Sequence, residues 1–278
     1  MLGTLGEHPL GAKDADAVSR ALDLNPVASC MVSARVEAYG LSPRFLGGEM
    51  WSASRPADSL AFSGANLMPL IGSAVDLGIF AERALAGPRI CSSIVGAADL
   101  AMPLWGLLGP VWGPPREIRD DQPLLALHGY PEISPDPNVR LVTMADLDVY
   151  FPAAVEMFIG EVGIDPCIND GGRSYRRRLA ALISARRVFA RFDGDRVIFK
   201  AEIGSMSRKV GQIQGVWVDP EWRGRGLGTI GTAAVVAAIA RQGRTSSLYV
   251  NSFNHGARRT YAKVGFHQVG TFATVLVD

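Results

Sequence analysis

Four glycines fall within VWVDPEWRGRGLGTIG, the stretch at positions 216–231. Glycine allows a tight turn and a close approach of the backbone to a ligand, and free N–H groups at a helix N-terminus favour an anion. A predicted strand ends at Val218, and a predicted helix begins at Thr229. The sequence therefore predicts a phosphate-binding turn, with a plain strand-to-helix turn that needs glycine for packing as the alternative.

Residues 226–231 also satisfy G-x-G-x-x-G, the pattern of dinucleotide-binding folds. Such a fold places an acidic residue about 20 positions further on, at the end of the next strand, where it binds a ribose. Asn251 stands there instead, and too few residues follow Gly231 for the second half of a doubly wound sheet. The dinucleotide interpretation is therefore disfavoured.

A second group of polar residues lies on the predicted helix 254–264. At 3.6 residues per turn, Asn254, Ala257 or Arg258, and Tyr261 lie along one face. An amide, a cation and a phenol thus share a stripe. Asn254 is also a common residue type for a helix N-cap, and a tyrosine at 261 could equally pack its ring in the core.

Glu202 is the carboxylate best placed for acid–base chemistry. Alternation along the predicted strand 197–204 sets it on the same face as Ile198 and Lys200. A surface glutamate paired with a lysine or arginine is an alternative of at least equal weight. Gln214 cannot act as a base, but its amide could position a water or an amine.

Hydrophobic periodicity and turn residues predict the elements that position these groups. We take the Pro-rich segment 131–137 as a linker and 138–278 as one domain, in the order β-α-α-β-β-β-α-β-α-β. The three consecutive strands form an antiparallel meander that leads into the glycine-rich turn. The predicted strands are 140–144, 187–192, 196–206, 210–218, 246–251 and 266–277, and the predicted helices are 145–160, 175–185, 229–242 and 254–264.

Residues 1–130 carry no motif that we can tie to chemistry. Their predicted order, α-α-β-β-α-β-α-β, is close to that of the second half, so we expect a degenerate duplicate of the same fold. Trp51, Trp105 and Trp112 are expected in a core or a domain interface. The predicted helices are 14–23, 25–40, 75–86 and 97–108, and the predicted strands are 48–54, 60–70, 89–95 and 123–128.

Composition limits the classes of function. The chain has 278 residues, 48% of them hydrophobic, which is enough for two ordinary domains. A net charge of +1 gives no sequence-wide reason to expect a nucleic acid or a membrane as a partner, and neither an export signal nor a membrane span is predicted. Cys30, Cys91 and Cys167 are scattered, and no two of the four histidines have metal-ligand spacing. We expect no metal and a cytoplasmic setting, and leave a homodimer open.

Residues 223–228, RGRGLG, match the [Q/R]-x-x-G-x-[G/A] loop of the GNAT acyl-CoA N-acyltransferases. Residues 251–266, NSFNHGARRTYAKVGF, resemble that family's N-x-x-A-x-x-x-Y-x-x-x-G-F motif. The resemblance covers about 138–278, and the two-domain layout resembles GNAT proteins with an uncharacterised N-terminal domain. The expected fold is α/β, with a mixed, mostly antiparallel sheet flanked by helices. It comprises a C-terminal GNAT domain and an N-terminal degenerate GNAT-like domain.

The resemblance implies that coenzyme A binds at the turn. Backbone amides of 225–229 would hold its pyrophosphate, Arg223 and Arg225 would add positive charge, and the backbone of Val216 and Val218 would contact the pantetheine arm. The coenzyme-binding residues so implied are Val216, Val218, Arg223, Gly224, Arg225, Gly226, Leu227, Gly228, Thr229, Asn254 and Arg258.

The resemblance also gives Tyr261 the role of proton donor to the leaving thiolate, while Glu202 stays the candidate base. The expected activity is transfer of an acetyl or other acyl group from acetyl-CoA to a primary amine by direct attack. No acyl-enzyme is expected, because no cysteine falls in either motif. The alternative is a non-catalytic regulatory protein that binds coenzyme A or acyl-CoA. The acceptor, a small molecule or a peptide, is left open.

Overall fold

The computed structural model describes residues 9–277, which form two compact units. Unit 1 contains the described residues up to Leu125, Tyr249–Phe253 and the described residues from Gln268 onward, whereas unit 2 contains Ala126–Leu248 and Asn254–His267. The predicted division into 1–130, 131–137 and 138–278 stays a prediction. The compact units group the chain differently, because the last strand lies with unit 1.

The helices and strands follow one another along the chain as α1–α9 and β1–β11. The first are α1 (Ala15–Leu22), α2 (Cys30–Tyr39), α3 (Pro43–Leu46), β1 (Gly48–Trp51), β2 (Leu60–Gly64), β3 (Asn66–Ile71), α4 (Ala74–Leu85), β4 (Ser93–Ala97), α5 (Ala98–Trp112) and β5 (Glu117–Leu127). The others are β6 (Arg140–Leu141), α6 (Leu147–Val162), α7 (Arg173–Ser184), β7 (Val188–Asp193), β8 (Arg196–Met206), β9 (Val210–Val218), α8 (Leu227–Ala240), β10 (Thr245–Tyr249), α9 (His255–Val264) and β11 (His267–Leu276).

Unit 1 is a sheet with helices on both faces. Its strands lie in the order β1-β2-β3-β4-β11-β5. β1, β2 and β3 form an antiparallel meander, β3 and β4 are parallel, and β11 is antiparallel to β4. Ala61 and Leu67 pack with α4 and α5, whereas their neighbours Phe62 and Met68 pack with α1 and α2. Because successive strand residues point to opposite faces, the helices cover both sides of this sheet.

Several element bounds in the sequence analysis were wrong. The predicted strand 60–70 is two strands, β2 and β3, because the chain reverses at Ala65. The predicted helix 25–40 begins only at Cys30, since Asn25 accepts a hydrogen bond from the N–H of Ala28 and holds a turn there. The predicted strand 140–144 is shorter because a 3-10 turn follows it.

Unit 2 repeats the central arrangement of unit 1. Its strands lie in the order β10-β9-β8-β7-β6, with β6 to β9 antiparallel and β10 parallel to β9. Helix α8 makes the connection between the parallel pair, as α4 does in unit 1. The expected fold class, a mixed and largely antiparallel α/β fold in two parts, is confirmed. Within residues 9–277, no helix is both long and apolar enough to span a membrane.

A close contact seats α8 on β8. At Gly231 an added Cβ would lie 2.7 Å from ring atoms of Phe199, nearer than carbon atoms normally approach. Phe199 itself is fully buried. Glycine at this position therefore lets the helix backbone rest directly on an aromatic ring.

Replacing this glycine tests the contact. We expect Gly231→Ala to lower the free energy of unfolding by about 1–3 kcal/mol, because the methyl group overpacks the Phe199 ring. The matched control is Gly256→Ala in α9, where the nearest atom to an added Cβ is 3.9 Å away. Helical propensity alone should make the control more stable by about 0.5–1 kcal/mol. Equal effects of the two changes in chemical denaturation would contradict the packing argument.

Candidate active site

The glycine-rich turn leads from β9 into the start of α8. Gly224 and Gly226 have φ of +75° and +80°, in the left-handed region that favours glycine. Gly226 is the N-cap of α8 and makes no side-chain cap, while its carbonyl accepts hydrogen bonds from Thr229 and Ile230. The first N–H groups of an α-helix lack the carbonyl partner four residues earlier that later N–H groups have. The start of α8 is thus left uncapped by side chains.

Two arginines lie in this turn. The Nε of Arg223 donates to the carbonyl of Val218 at 3.1 Å, and the guanidinium of Arg225 lies 4.9 Å from the centroid of the Trp222 ring. Among the described residues, no carboxylate forms an ion pair with either arginine. Both positive charges are therefore available to an anion.

A third arginine neutralises the acidic residues next to the turn. Arg196 donates to Asp219 at 2.6 and 2.9 Å and to Glu221 at 2.6 Å. Asp219 also accepts from the N–H of Glu221 at 3.0 Å, which caps the short 3-10 turn there. These carboxylates are occupied, so they do not compensate the charges of the neighbouring arginines.

Strand β9 parts from β10 beside the turn. Residues 210–212 pair with 245–247, yet β9 continues to Val218 and β10 to Tyr249. In the part of β9 that pairs with β10, residues 210–212 are buried. In the part beyond it, four residues are half-buried: Gln214, Gly215, Val216 and Val218. A strand that leaves its neighbour exposes backbone groups to which an extended ligand can bind.

The second predicted motif lies against the first. An added Cβ at Gly228 would be 3.5 Å from Val218 and 3.8 Å from Thr260 of α9. The end of β9, the start of α8 and the middle of α9 therefore meet around Gly228. The structure brings together the two motifs that are separate in sequence.

Tyr261 follows Thr260 on α9 and is 7% exposed. Its ring meets the Phe266 ring edge-on, with the centroids 6.0 Å apart. In the described part of the chain, its hydroxyl has no hydrogen-bond partner. Burial, and then the negative charge of Glu161 at the end of α6, raise the pKa of Tyr261. The phenol therefore stays protonated at neutral pH.

Asn254 and Arg258 are exposed on the same helix. Asn254 is the N-cap of α9, where its Oδ1 accepts from the N–H of Ala257 at 3.1 Å. The capping role considered for this residue is confirmed. Coenzyme binding by Asn254 and Arg258 stays a prediction.

Glu202 is buried in a hydrogen-bonded cluster. Its Oε1 accepts from Lys200 at 2.9 Å and from Tyr150 at 3.0 Å, and its Oε2 accepts from Gln214 at 3.3 Å. Arg178 lies 3.8 Å from Oε2. Burial alone would raise the pKa of Glu202, but the charges of Lys200 and Arg178 and the hydrogen bonds from Lys200 and Gln214 together lower the pKa. The surface alternative is wrong for this residue, although its pairing with a lysine is correct.

The pairing has a defined pH dependence. Because the pKa of Glu202 is lower in the folded than in the unfolded chain, its ionisation stabilises the fold above the unfolded-state pKa. That stabilisation is lost as the pH falls through the folded-state pKa.

The sequence placed Lys200 on the same face as Glu202, but it indicated neither the burial of the pair nor the contact with Tyr150. Lys200 and Glu202 are two residues apart and therefore lie on one face of a strand that is otherwise apolar, which is a sequence signal for an ion pair. No comparable signal indicates Tyr150, since its contact with Glu202 spans two distant elements.

The corresponding helix start in unit 1, that of α4, is capped by side chains of the chain itself. At the N-terminus of α4, Asp76 accepts from the N–H of Ser73 at 2.7 Å, and Ser73 accepts from the N–H of Asp76. The N-cap of α4 is thus a serine bonded to an aspartate of the same helix, whereas the N-cap of α8 is a glycine without a capping side chain. Among residues 9–277, no three His, Cys, Asp or Glu side chains gather as a metal site.

Comparison with known proteins decides the fold. A family described as "FR47-like protein" matches residues 199–275, and one described as "Domain of unknown function (DUF4081)" matches 48–150. A GNAT-family acetyltransferase from Colwellia psychrerythraea is 11% identical, with a TM-score of 0.56, over 93% of this chain and 97% of that one. The chain has a GNAT fold.

Two further solved structures resemble nearly the whole chain in fold. A tandem GNAT protein from the clavulanic acid biosynthesis pathway is 14% identical, with a TM-score of 0.52 and 96% of each chain covered. A Drosophila protein is 12% identical, with a TM-score of 0.69 and 99% of each chain covered. The comparison with curated proteins gives no match. At these identities the likeness establishes the GNAT fold alone.

Tyr150 and Tyr261, two of the buried tyrosines of unit 2, should differ in what their hydroxyls contribute to stability. Tyr150→Phe removes a hydrogen bond to a charged group, so we expect it to lower the free energy of unfolding by about 1.5–3 kcal/mol. Tyr261→Phe removes a hydroxyl that makes no such bond, so we expect a change of about 0.5 kcal/mol or less. Denaturant unfolding of both variants measures the difference. A loss for Tyr261→Phe as large as that for Tyr150→Phe would indicate a structural role for the Tyr261 hydroxyl.

Proposed function

We propose that the protein transfers an acyl group, acetyl in the simplest case, from acyl-CoA to a primary amine. The observation that carries this proposal is the start of α8. Its N-cap is a glycine without a capping side chain, and two arginines without acidic partners lie beside it. A helix start of this kind favours a phosphate.

The residues around the turn fit coenzyme A. Backbone amides of 225–229 would bind the pyrophosphate, with Arg223 and Arg225 balancing its charge. The parted segment of β9, with Val216 and Val218, would bind the pantetheine arm through its backbone, as an added strand does. When bound, acyl-CoA supplies an activated thioester to an amine nucleophile.

Tyr261 would donate the proton that the leaving thiolate needs. Its raised pKa keeps the proton on the phenol at neutral pH, and its place on a helix beside the turn supports the role. A Cβ added at Gly228 would lie 3.8 Å from Thr260, the residue before Tyr261, which supports placing this part of α9 near the proposed coenzyme site.

The predicted role of Glu202 as general base stays a prediction. A carboxylate whose pKa is lowered is a weaker proton acceptor, and the lowered pKa of Glu202 therefore argues against the role of general base. Glu161 is a second carboxylate to consider, because its charge acts on Tyr261.

A regulatory protein that binds coenzyme A without catalysis is the second candidate. The uncapped start of α8 would serve both functions, so release of free thiol in the presence of amines distinguishes them. An acceptor that is a small molecule or a peptide, the absence of nucleic-acid and membrane partners, and a cytoplasmic setting stay predictions, as does a homodimer.

Coenzyme A should stabilise the protein through Gly226. At a concentration 100 times its dissociation constant, we expect stabilisation of about 2.7 kcal/mol, seen as a raised melting temperature. Gly226→Leu should abolish this rise, because a side chain would obstruct the backbone amides and φ would be strained. Calorimetric titration of the wild type should give one coenzyme per chain, since the start of α4 is closed by Asp76.

Gly243→Leu is the matched control for this change. Gly243 also has positive φ, +70°, with open space around it, but it follows the other end of α8. The control should lose similar intrinsic stability and keep the coenzyme-dependent rise. An undiminished rise in Gly226→Leu would show that the coenzyme binds elsewhere.

Tyr261→Phe should lower turnover much more than it weakens coenzyme binding. We expect a fall in kcat of about 10²–10⁴-fold, because the variant lacks the proton donor that acts as the thiolate leaves. Thiol release with any amine that the wild type accepts measures the effect. Tyr130→Phe, at an exposed position, should leave kcat unchanged. If Tyr261→Phe turns over at the wild-type rate, the phenol is a packing residue.

A further inference from the structure

Lys200 is a buried cation that neither motif explains. It lies on β8 with 0% exposure. Its Nζ donates to Glu202 Oε1 at 2.9 Å and to the carbonyl oxygen of Gly215 at 3.2 Å, and it lies 5.4 Å from the centroid of the Tyr150 ring. Removing a lysine from water is unfavourable unless its charge is paired and its protons are bonded. This lysine thus has both a counter-ion and a backbone acceptor.

The backbone acceptor belongs to a β-bulge in β9. Glu202 is opposite Gln214 and Lys200 is opposite Trp217, so Gly215 and Val216 together face the single residue Ala201. Gly215 has φ of +58°, and an added Cβ there would lie 3.0 Å from Met157 and 3.2 Å from Lys200 Nζ. Bulges change the direction of the backbone and commonly redirect groups beside active sites.

The bulge occurs where β9 has already lost its partner β10. Pairing with β10 ends at Gln212, and the bulge begins three residues later. At Val216, β9 is therefore not paired with β10. In the proposed function, the backbone of this residue contacts the pantetheine arm of the coenzyme. The carbonyl of the preceding residue, Gly215, accepts the hydrogen bond from Lys200.

The carboxylate that pairs with the lysine has several other partners. Glu202 carries the counter-charge, and Tyr150 and Gln214 complete its hydrogen bonds. Arg178 approaches the same carboxylate at 3.8 Å from the half-exposed side of α7. The carboxylate is thus fixed from several directions, and it fixes the ammonium in turn.

We propose that Lys200, held by Glu202, is a positioning residue: its ammonium fixes the Gly215 carbonyl and thereby aims the Val216 backbone at the acyl-thioester. The inference rests on the proposed function, because it assigns a purpose to the bulge within that site. The opposing explanation is a buried ion pair that contributes only to stability.

The double variant Lys200→Met/Glu202→Gln separates the two explanations. Lys200→Met alone would leave Glu202 as a buried charge without its main partner and would unfold the site. The double change removes both charges, while an amide at position 202 can still accept from Tyr150. Stability is therefore largely kept, but the Gly215 carbonyl loses its donor. Lys209→Met, at an exposed lysine of the β8–β9 hairpin, is the control.

Positioning predicts a split between turnover and binding. We expect kcat of the double variant to fall about 10- to 100-fold, as for a misplacement on the order of an ångström. The melting-temperature rise with coenzyme A should persist, because the turn 223–228 is unchanged. Amide hydrogen exchange should become faster in 213–218 and stay unchanged in 223–230, relative to both the wild type and Lys209→Met.

Unchanged exchange in 213–218 would overturn the inference, whether or not turnover falls, because the effect would not pass through the bulge. Wild-type turnover in a double variant with faster exchange would also overturn it. If the wild type transfers no acyl group to any amine, the proposed function fails, and the exchange measurement alone decides whether Lys200 holds the bulge. Faster exchange confined to 213–218 then supports the lysine contact.

Discussion

Strand β9 has to leave β10 while staying attached to β8. Pairing with β10 covers 210–212 only, whereas pairing with β8 continues to Val218. A strand that parts from a neighbour exposes backbone groups that need other partners. The features of the candidate site arise around this separation: the half-buried segment from Gln214, the bulge at Gly215, and the turn that begins α8.

The two units show how the same arrangement can be open or closed to an anion. In each unit a meander strand leads through a short connection into a helix, which returns to a parallel strand. At the start of α4, the side chains of Ser73 and Asp76 each accept a hydrogen bond from the other residue's backbone N–H. The Asp76 carboxylate thus lies at the positive end of the helix. At the start of α8, Gly226 offers no side chain. The difference lies in side chains at the helix start rather than in topology.

Local sequence predicted the elements of this site well. Strands β8 and β9 have the predicted bounds, and the motif of α9 was placed within a residue, because both depend on short-range alternation and capping. The pairing of β11 with β4 could not be predicted, since no local pattern states which strand a terminal segment joins. The sequence shows that Lys200 and Glu202 share one face of β8. Their burial depends on α6, whose Tyr150 packs over them, and no local pattern indicates that contact.

Strand β8 connects the two parts of the site through its opposite faces. On one face, the Phe199 ring contacts α8 at Gly231, five residues after Gly226, the N-cap of that helix. On the other face, Lys200 holds the carbonyl at the bulge of β9. Because consecutive residues of one strand make these contacts, their separation is set by the rigid geometry of that strand. A ligand that spans the helix start and the bulge would therefore meet two positions fixed relative to each other before it binds, which reduces the ordering that binding requires.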